Sequence, residues 1–339
     1  MNEPDERPAA ALRRLIDGYQ VTQAIHVAVT LGIADLLAGG PRGVEDLAEA
    51  SRSHAPSLYR LLRALASVGI FHEEDHRRFS LTPFGGHLRA DAPESLAGWA
   101  GLVGRPYYWQ AWSELLHGIR TGENAFRHTH GVGVWEYRAH HPEEGAIFDR
   151  AMTSTSRQTD RAVVEAFDFG RFRTVVDVGG GHGAFLAAVL VAHPEMTGVL
   201  FDQPHVVARA GGLLEAAGVS DRCRIVGGSF FEQVPEGGDA YLLKEIIHDW
   251  EDEEAVALLR VCRRVVPPAG RVLLVERDLG GPNADPGPKF ADLNMLVSPG
   301  GRERTVEEYA ALFQAAGFRL SGTTTTPSVM QVLEGAPAG

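Results

Sequence analysis

Val175-Val176-Asp177-Val178-Gly179-Gly180-Gly181-His182-Gly183 is the stretch on which the fold turns. A β-branched run of this kind predicts a buried strand. It breaks into glycines and then into an apolar segment, Ala184 to Val191, which predicts a helix. Glycines at such a turn let backbone approach a ligand and adopt angles that a Cβ forbids. In an open α/β sheet the carboxyl end of a strand is where ligands bind. Asp177 places a carboxylate just before the turn. The next expected strand, Thr197–Phe201, ends at Asp202, whose carboxylate suits the two hydroxyls of a ribose. These residues predict a nucleoside-cofactor site.

Two cofactors compete for it. The spacing Gly179-x-Gly181-x-x-Ala184 is compatible with a dinucleotide fingerprint, and Asp202 would serve NAD equally well. Asp177 is an odd neighbour for a pyrophosphate. It suits a ligand with a cationic amino-acid end, and S-adenosylmethionine combines a sulfonium, an ammonium, a ribose and an adenine. A turn that only packs strand on helix explains the glycines but not Asp202.

Outward from this stretch the chain alternates strand and helix. Strands are expected at Thr174–Val178, Thr197–Phe201, Arg222–Val226, Asp239–Leu243 and Arg271–Arg277. A last helix, Val306–Ala316, precedes strand-like runs at Arg319–Thr325 and Ser328–Leu333. The pattern is that of an α/β, doubly wound, Rossmann-like sheet with a C-terminal hairpin. Asp285-Pro286-Gly287-Pro288 reads as the clearest loop, and Ala336 to Gly339 as a frayed tail.

Upstream, apolar residues recur at helical spacing from Ala9 to Leu37. Further helices are expected from Gly43 and over Ala55–Leu65. Gly69–His72 and Arg78–Leu81 then bracket a polar turn. Three helices and a hairpin make a winged-helix pattern, read either as a DNA-binding module or as a dimerisation scaffold. Acidic residues outnumber basic ones over the first hundred positions, which favours the scaffold. Residues 101–169 form a second helical region rich in aromatics, including Tyr107, Trp109, Trp112 and Trp135. Such residues serve as core or as flat surfaces for an aromatic ligand. The expected organisation is a winged-helix dimerisation domain at 1–100, a helical linker at 101–169 and a cofactor-binding domain at 170–335.

Composition narrows the class. The chain has 339 residues, 44% of them hydrophobic, and a formal net charge of −12. Length suggests about two domains. The negative charge speaks against nucleic acid as a partner, and no apolar run approaches the ~20 residues of a membrane span. Met1 to Glu6 is acidic and has no apolar signal core. Cys223 and Cys262 are too few for a disulfide framework and lack metal-ligand spacing. A cytoplasmic enzyme without a metal is expected.

Five ordered segments carry a family resemblance. They are the glycine stretch, Phe201–Val206, Gly228–Phe231, Ala240–Trp250 and Gly300–Thr305. Together they resemble the small-molecule O-methyltransferases, the plant caffeate and flavonoid type and their bacterial relatives in secondary metabolism. The resemblance implies S-adenosylmethionine as cofactor, a homodimer, and an aromatic small-molecule acceptor. It implies that Asp177, Gly179, Gly181, Asp202, Gln203, Phe230 and Lys244 hold the cofactor. Ser229 stands where the family usually has an acid against the adenine, which exchanges a carboxylate for a hydroxyl. His248 matches the catalytic base, and Glu276 and Glu303 match the two acids that flank it. Phe148 and Met152 fall in a Phe-x-x-x-Met element that lines the acceptor pocket, and Asp292 and Asn294 are candidates for acceptor contacts. Asp249 is expected to cap the following acidic helix start.

A histidine near pKa ~6.5 can take the proton of a phenol as the bond to methyl forms. Two other readings remain. Relatives with this architecture have lost methyl transfer and perform decarboxylation, hydroxylation or pericyclic chemistry. A winged-helix DNA-binding sensor with a cofactor domain is the third.

Overall fold

The computed structural model describes residues 7–339; the acidic stretch Met1 to Glu6 lies outside them. The chain forms two compact units. One runs to Ser113 and resumes over Thr129–Arg157, and the other comprises Glu114–His128 and Gln158–Gly339. The stretch 101–169 is thus divided between them.

The second unit is built on seven strands: β1 Thr174–Val178, β2 Thr197–Asp202, β3 Cys223–Gly227, β4 Ala240–Lys244, β5 Arg271–Arg277, β6 Phe318–Thr325 and β7 Met330–Pro337. Their order across the sheet is β3-β2-β1-β4-β5-β7-β6. The first five are parallel and the last pair antiparallel. The chain winds outward one way from β1 and then the other way from β4, so the crevice between those two strands is the switch point where such sheets bind ligands.

Strand period explains the two cores. Val175, Leu200, Leu242 and Leu273 face one layer of helices. Val176, Val199, Tyr241, Leu243 and Leu274 face the other. Both faces of the central strands are covered, so β2, β4 and β5 read as nearly continuous apolar runs, whereas the edge strand β6 alternates. Asp177 is the polar exception inside β1, only 2% exposed.

In the first unit, helices Gly18–Thr30, Val44–Ala50 and Ala55–Ser67 precede a hairpin of Phe71–Glu74 and Arg78–Leu81, to which Arg42–Gly43 adds a third short strand. Leu47, Leu58, Leu62, Phe71 and Phe79 close this core. The expected helical stretch from Ala9 is cut into Pro8–Ile16, Gly18–Thr30 and Ile33–Leu36. The last break follows Gly32 in the left-handed region.

Two expectations are corrected. Asp285–Pro288 opens a helix, Pro286–Val297, and is no loop. Asp285 Oδ1 accepts from Gly287 N at 2.9 Å and Pro286 occupies the first turn, where its missing N–H costs nothing. The C-terminal residues are not frayed. β7 continues to Pro337, Ala336 is 3% exposed, and Ala338 N donates to Gly317 O. Among the described residues, no helix is long and apolar enough to cross a membrane.

Candidate active site

The turn after β1 has the geometry that its glycines permit. Gly179 and Gly181 have φ of 78° and 59°, in the left-handed region. A Cβ at Gly179 would stand 2.5 Å from Ile246 Cδ1, so the β1 turn and the segment after β4 approach closely only because it is glycine. At Gly181 a Cβ would meet nothing within 4 Å; there the backbone conformation sets the need, and open space lies alongside. Asp202 closes the turn from β2: Oδ2 accepts from Gly181 N at 2.8 Å, and Oδ1 from Gln203 N at 2.6 Å.

Asp177 lies behind the turn with its Oδ2 buried and without a hydrogen-bond partner. Burial pushes its carboxyl up to about 7, and the ammonium of Lys244 only partly opposes this. Such an oxygen fits a cation brought by a ligand. Lys244 ends β4 with Nζ 3.1 Å from Asp160 Oδ1 and 2.8 Å from Glu245 Oε2. Ser229 Oγ accepts from Phe231 N at 3.4 Å. Phe230, half-buried, meets Phe231 and Trp250 edge-on, with ring centroids 5.0 and 6.0 Å away.

His248 lies in a short 3₁₀ turn, Ile247–Asp249, and is 8% exposed. Its Nδ1 is 3.2 Å from Glu303 Oε1 and 3.8 Å from Glu276 Oε2. Glu276, fully buried at the end of β5, anchors that turn by accepting from the amides of Ile246 and Ile247 at 3.1 and 2.7 Å. Burial opposes charge on the ring, but the carboxylates of Glu276, Glu303 and Asp249 outweigh it and push His248 up to about 10. Burial raises Glu276 to about 7. Burial also disfavours the Glu303 carboxylate, yet His248 and Arg277 hold it below the ordinary range. With Glu303 and Glu276 on Nδ1, that nitrogen keeps its proton when the ring is neutral, and Nε2 is then the acceptor.

Asp249 does not cap the next helix. Glu251 holds that position, and Asp249 Oδ1 lies 3.6 Å from His248 Nε2. Asp292 Oδ1 accepts from Glu303 N at 3.0 Å, so it supports the segment that presents Glu303. Asn294 follows on the same helix. Phe148 and Met152 lie one helical turn apart in the first unit, on Pro142–Ala166. Phe148 packs beneath the Arg138 guanidinium, 3.7 Å from its ring centroid, and against Trp135.

Four residues of this site were not singled out from the sequence. Arg304 is fully buried; its guanidinium donates to the carbonyls of Ile247 (3.2 Å) and Trp250 (2.7 Å) and to Asp252 Oδ1 (2.9 Å). It clamps the His248 turn to the Glu303 segment. Gly301 has φ 66° and a Cβ there would fall 2.1 Å from His248 O; Arg302 N donates to that oxygen at 2.8 Å. The Gly-Gly pair was a visible signal of this close approach. Arg277 and Glu245 complete the network, and neither left a local mark in the sequence.

Comparison with known proteins places the chain in a family. An O-methyltransferase domain model matches residues 112–319, and an O-methyltransferase dimerisation domain model matches residues 13–89. The chain is 43% identical to a phenazine O-methyltransferase of Lysobacter antibioticus, over 97% of this chain and 96% of that protein. It is similar to the crystal structure of an O-methyltransferase from neocarzinostatin biosynthesis in complex with S-adenosyl-L-homocysteine and 1,4-dihydroxy-2-naphthoic acid. That similarity has a TM-score of 0.80 and 34% identity, over 94% of this chain and 96% of the other. A further relative, 32% identical over 98% of this chain and 91% of its own length, is the aclacinomycin 10-hydroxylase of Streptomyces purpurascens.

Proposed function

The chain belongs to the O-methyltransferase family, and from that membership we propose that it moves a methyl group from S-adenosylmethionine to a phenolic hydroxyl of an aromatic small molecule. The observation that carries this reading is the buried His248 held on Nδ1 by Glu303 and Glu276, in the unit that also holds the glycine turn.

The cofactor fits the residues present. The partnerless Asp177 Oδ2 suits its ammonium, and the open space at Gly181 leaves room for its amino-acid end. Asp202 suits the ribose hydroxyls, Phe230 and Ser229 the adenine, and Lys244 with Gln203 borders them. When bound, the sulfonium supplies an activated methyl group, which needs only an oriented nucleophile. The chain's own residues supply that orientation and the base. His248 Nε2 takes the hydroxyl proton, and Glu303 and Glu276 stabilise the imidazolium that results. Because the carboxylates raise the ring's proton affinity, the rate rises with pH until the ring is neutral. Phe148 and Met152 are assigned to the acceptor, together with Asn294 and the Asp292 that braces Glu303.

We assign residues 1–100 to dimerisation, 101–169 to the linker that borders the acceptor and 170–335 to cofactor binding. A homodimer is supported by the dimerisation domain and by Leu12, Leu15, Ile16 and Tyr19, each more than half exposed. The hydroxylase relative favours one second reading, in which bound cofactor assists another reaction. Incubation with methyl-labelled cofactor and a panel of phenols separates the two. Labelled product supports methyl transfer; tight cofactor binding with no label in any acceptor supports the second.

A further inference from the structure

Six charged side chains of alternating sign form an unbroken row through the second unit. Asp160 Oδ1 lies 3.1 Å from Lys244 Nζ, which lies 2.8 Å from Glu245 Oε2. The other oxygen of Glu245, Oε1, accepts from Arg277 Nη2 at 2.9 Å. Arg277 Nη1 donates to Glu303 Oε1 at 3.1 Å, the same oxygen that meets His248 Nδ1 at 3.2 Å. The row is shielded from water: Lys244 and Asp160 side chains are 10% and 8% exposed, Glu245 and Arg277 about a quarter, and Glu303 not at all. Glu245 reaches both its partners from a left-handed backbone, φ 54°, which a residue with a Cβ adopts only when its surroundings enforce it.

The methyl-transfer reading above gives roles to His248, Glu303, Glu276 and Lys244 and none to Glu245 or Arg277. We propose that Glu245 and Arg277 are positioning residues that set the proton affinity of His248: Arg277 fixes the Glu303 oxygen that meets the ring and offsets part of its charge, and Glu245 holds Arg277 there while balancing that cation. Arg277 and His248 share one carboxylate oxygen, so their cationic groups stand within roughly 6 Å of each other, a range in which one charge shifts a neighbour's pKa by about a unit or more. An unbalanced arginine there would drain basicity from the ring. An absent one would leave the ring facing Glu276, Glu303 and Asp249 without the cation that shares Glu303 Oε1 with it.

Other groups also face His248. Glu276 comes from β5, Asp249 from its own turn and Glu303 from the segment before helix Val306–Ala315; Arg304 of that segment bonds the Ile247 carbonyl, Tyr309 of that helix lies near Glu276 and Glu303, and Asp292 holds the Glu303 amide. None of these bridges the ring to the β4 end; Glu245 and Arg277 do. Burial disfavours the Glu245 carboxylate, but Lys244, Arg277 and His248 together bring it down to about 2, so it is charged at neutral and alkaline pH.

The inference rests on His248 being the base, and its test separates the two. Single-turnover methyl transfer is followed from pH 7 to about 11.5, beside NMR titration of the His248 ring in the same variants, so that the window spans the ring's pKa of about 10 and a shift of a unit on either side. Arg277→Gln removes a cation and moves the ring's titration and the acid limb of the rate to higher pH, on the order of one unit. Glu245→Gln removes an anion and moves both to lower pH by a similar amount. The double variant returns to within a few tenths of wild type, and Arg277→Lys, which keeps the charge, stays close to it. Shifts of the same sign in both single variants, or none, overturn the inference even where turnover falls. A rate limb that persists in His248→Ala overturns the base assignment instead, and ring titration in the holoprotein still reads the coupling if turnover is lost.

Discussion

Replacing Asp177 with asparagine should make stability of the ligand-free protein less dependent on pH while damaging cofactor binding. Burial raises the Asp177 carboxyl to about 7, against ~3.9 in an unfolded chain. The folded state therefore binds the proton more tightly than the unfolded state does. The corresponding stability is complete below about pH 4 and is lost as pH rises through about 7. At ~1.4 kcal/mol per pKa unit, the loss amounts to about 4 kcal/mol by pH 8. Asparagine does not titrate and forfeits none of it. Its amide adds a buried donor that costs ~1–3 kcal/mol if unpaired, but that cost is the same at every pH. Urea unfolding of both ligand-free proteins at steps from pH 4.5 to 8 isolates the effect as a difference between them. The stability of Asp177→Asn relative to wild type should climb by about 3 kcal/mol over that range, the first ~1 kcal/mol of the total having been lost below pH 4.5. Isothermal titration should show weaker binding of S-adenosylmethionine at pH 8, because the buried oxygen has lost its charge. A difference that is flat with pH would mean that Asp177 is not held in an apolar setting, and the reasoning from its partnerless oxygen would fail.

Three further outcomes are expected. Asp202→Ala should leave the sheet intact, since Val199, Leu200 and Phe201 keep their cores, and weaken S-adenosylmethionine by ~1.5–3 kcal/mol in calorimetry; unchanged affinity removes Asp202 from the site. Glu276→Gln should lower turnover less than His248→Ala, because an amide still accepts from the Ile246 and Ile247 amides without stabilising an imidazolium; pre-steady-state rates compare them. Sedimentation equilibrium should give a dimer that weakens when Leu15 and Ile16 become glutamate, and an unchanged association constant would move the interface elsewhere.

The Rossmann-like sheet was legible because its signals are local. β-branched runs such as Val175–Val178 and Val272–Val275 announce strands on their own, and Gly179 and Gly181 mark a turn that no other residue type makes easily. Local signals also misled. Asp285-Pro286-Gly287-Pro288 has loop composition, yet an aspartate cap followed by proline is equally a helix start, and only the apolar residues beyond decide. Ala336 to Gly339 reads as a tail because nothing in its composition reveals that β6 and β5 wait on either side of β7. Asp249 precedes an acidic helix start, but the 3₁₀ turn at Ile247–Asp249 leaves its carboxylate near the His248 ring. His248, Glu276 and Glu303 were reachable because each sits in a recognisable segment. Arg277, Glu245 and Arg304 were not, although the last two lie inside recognised segments, since the partners that give them roles (Glu303 and Glu245 for Arg277, Ile247 for Arg304) lie 26 to 57 positions away and burial of charge is invisible along a chain.

The central claim is that His248 removes the acceptor proton as the methyl group is transferred. Single-turnover transfer from labelled S-adenosylmethionine to a phenol, across pH with wild type and His248→Ala, tests it most directly. The account predicts a rate that rises with pH in the wild type, and a loss of ~10²–10⁴-fold in the variant that shrinks above the phenol's own pKa of ~10. Equal rates of the two proteins at every pH, below that pKa as well as above it, would contradict it.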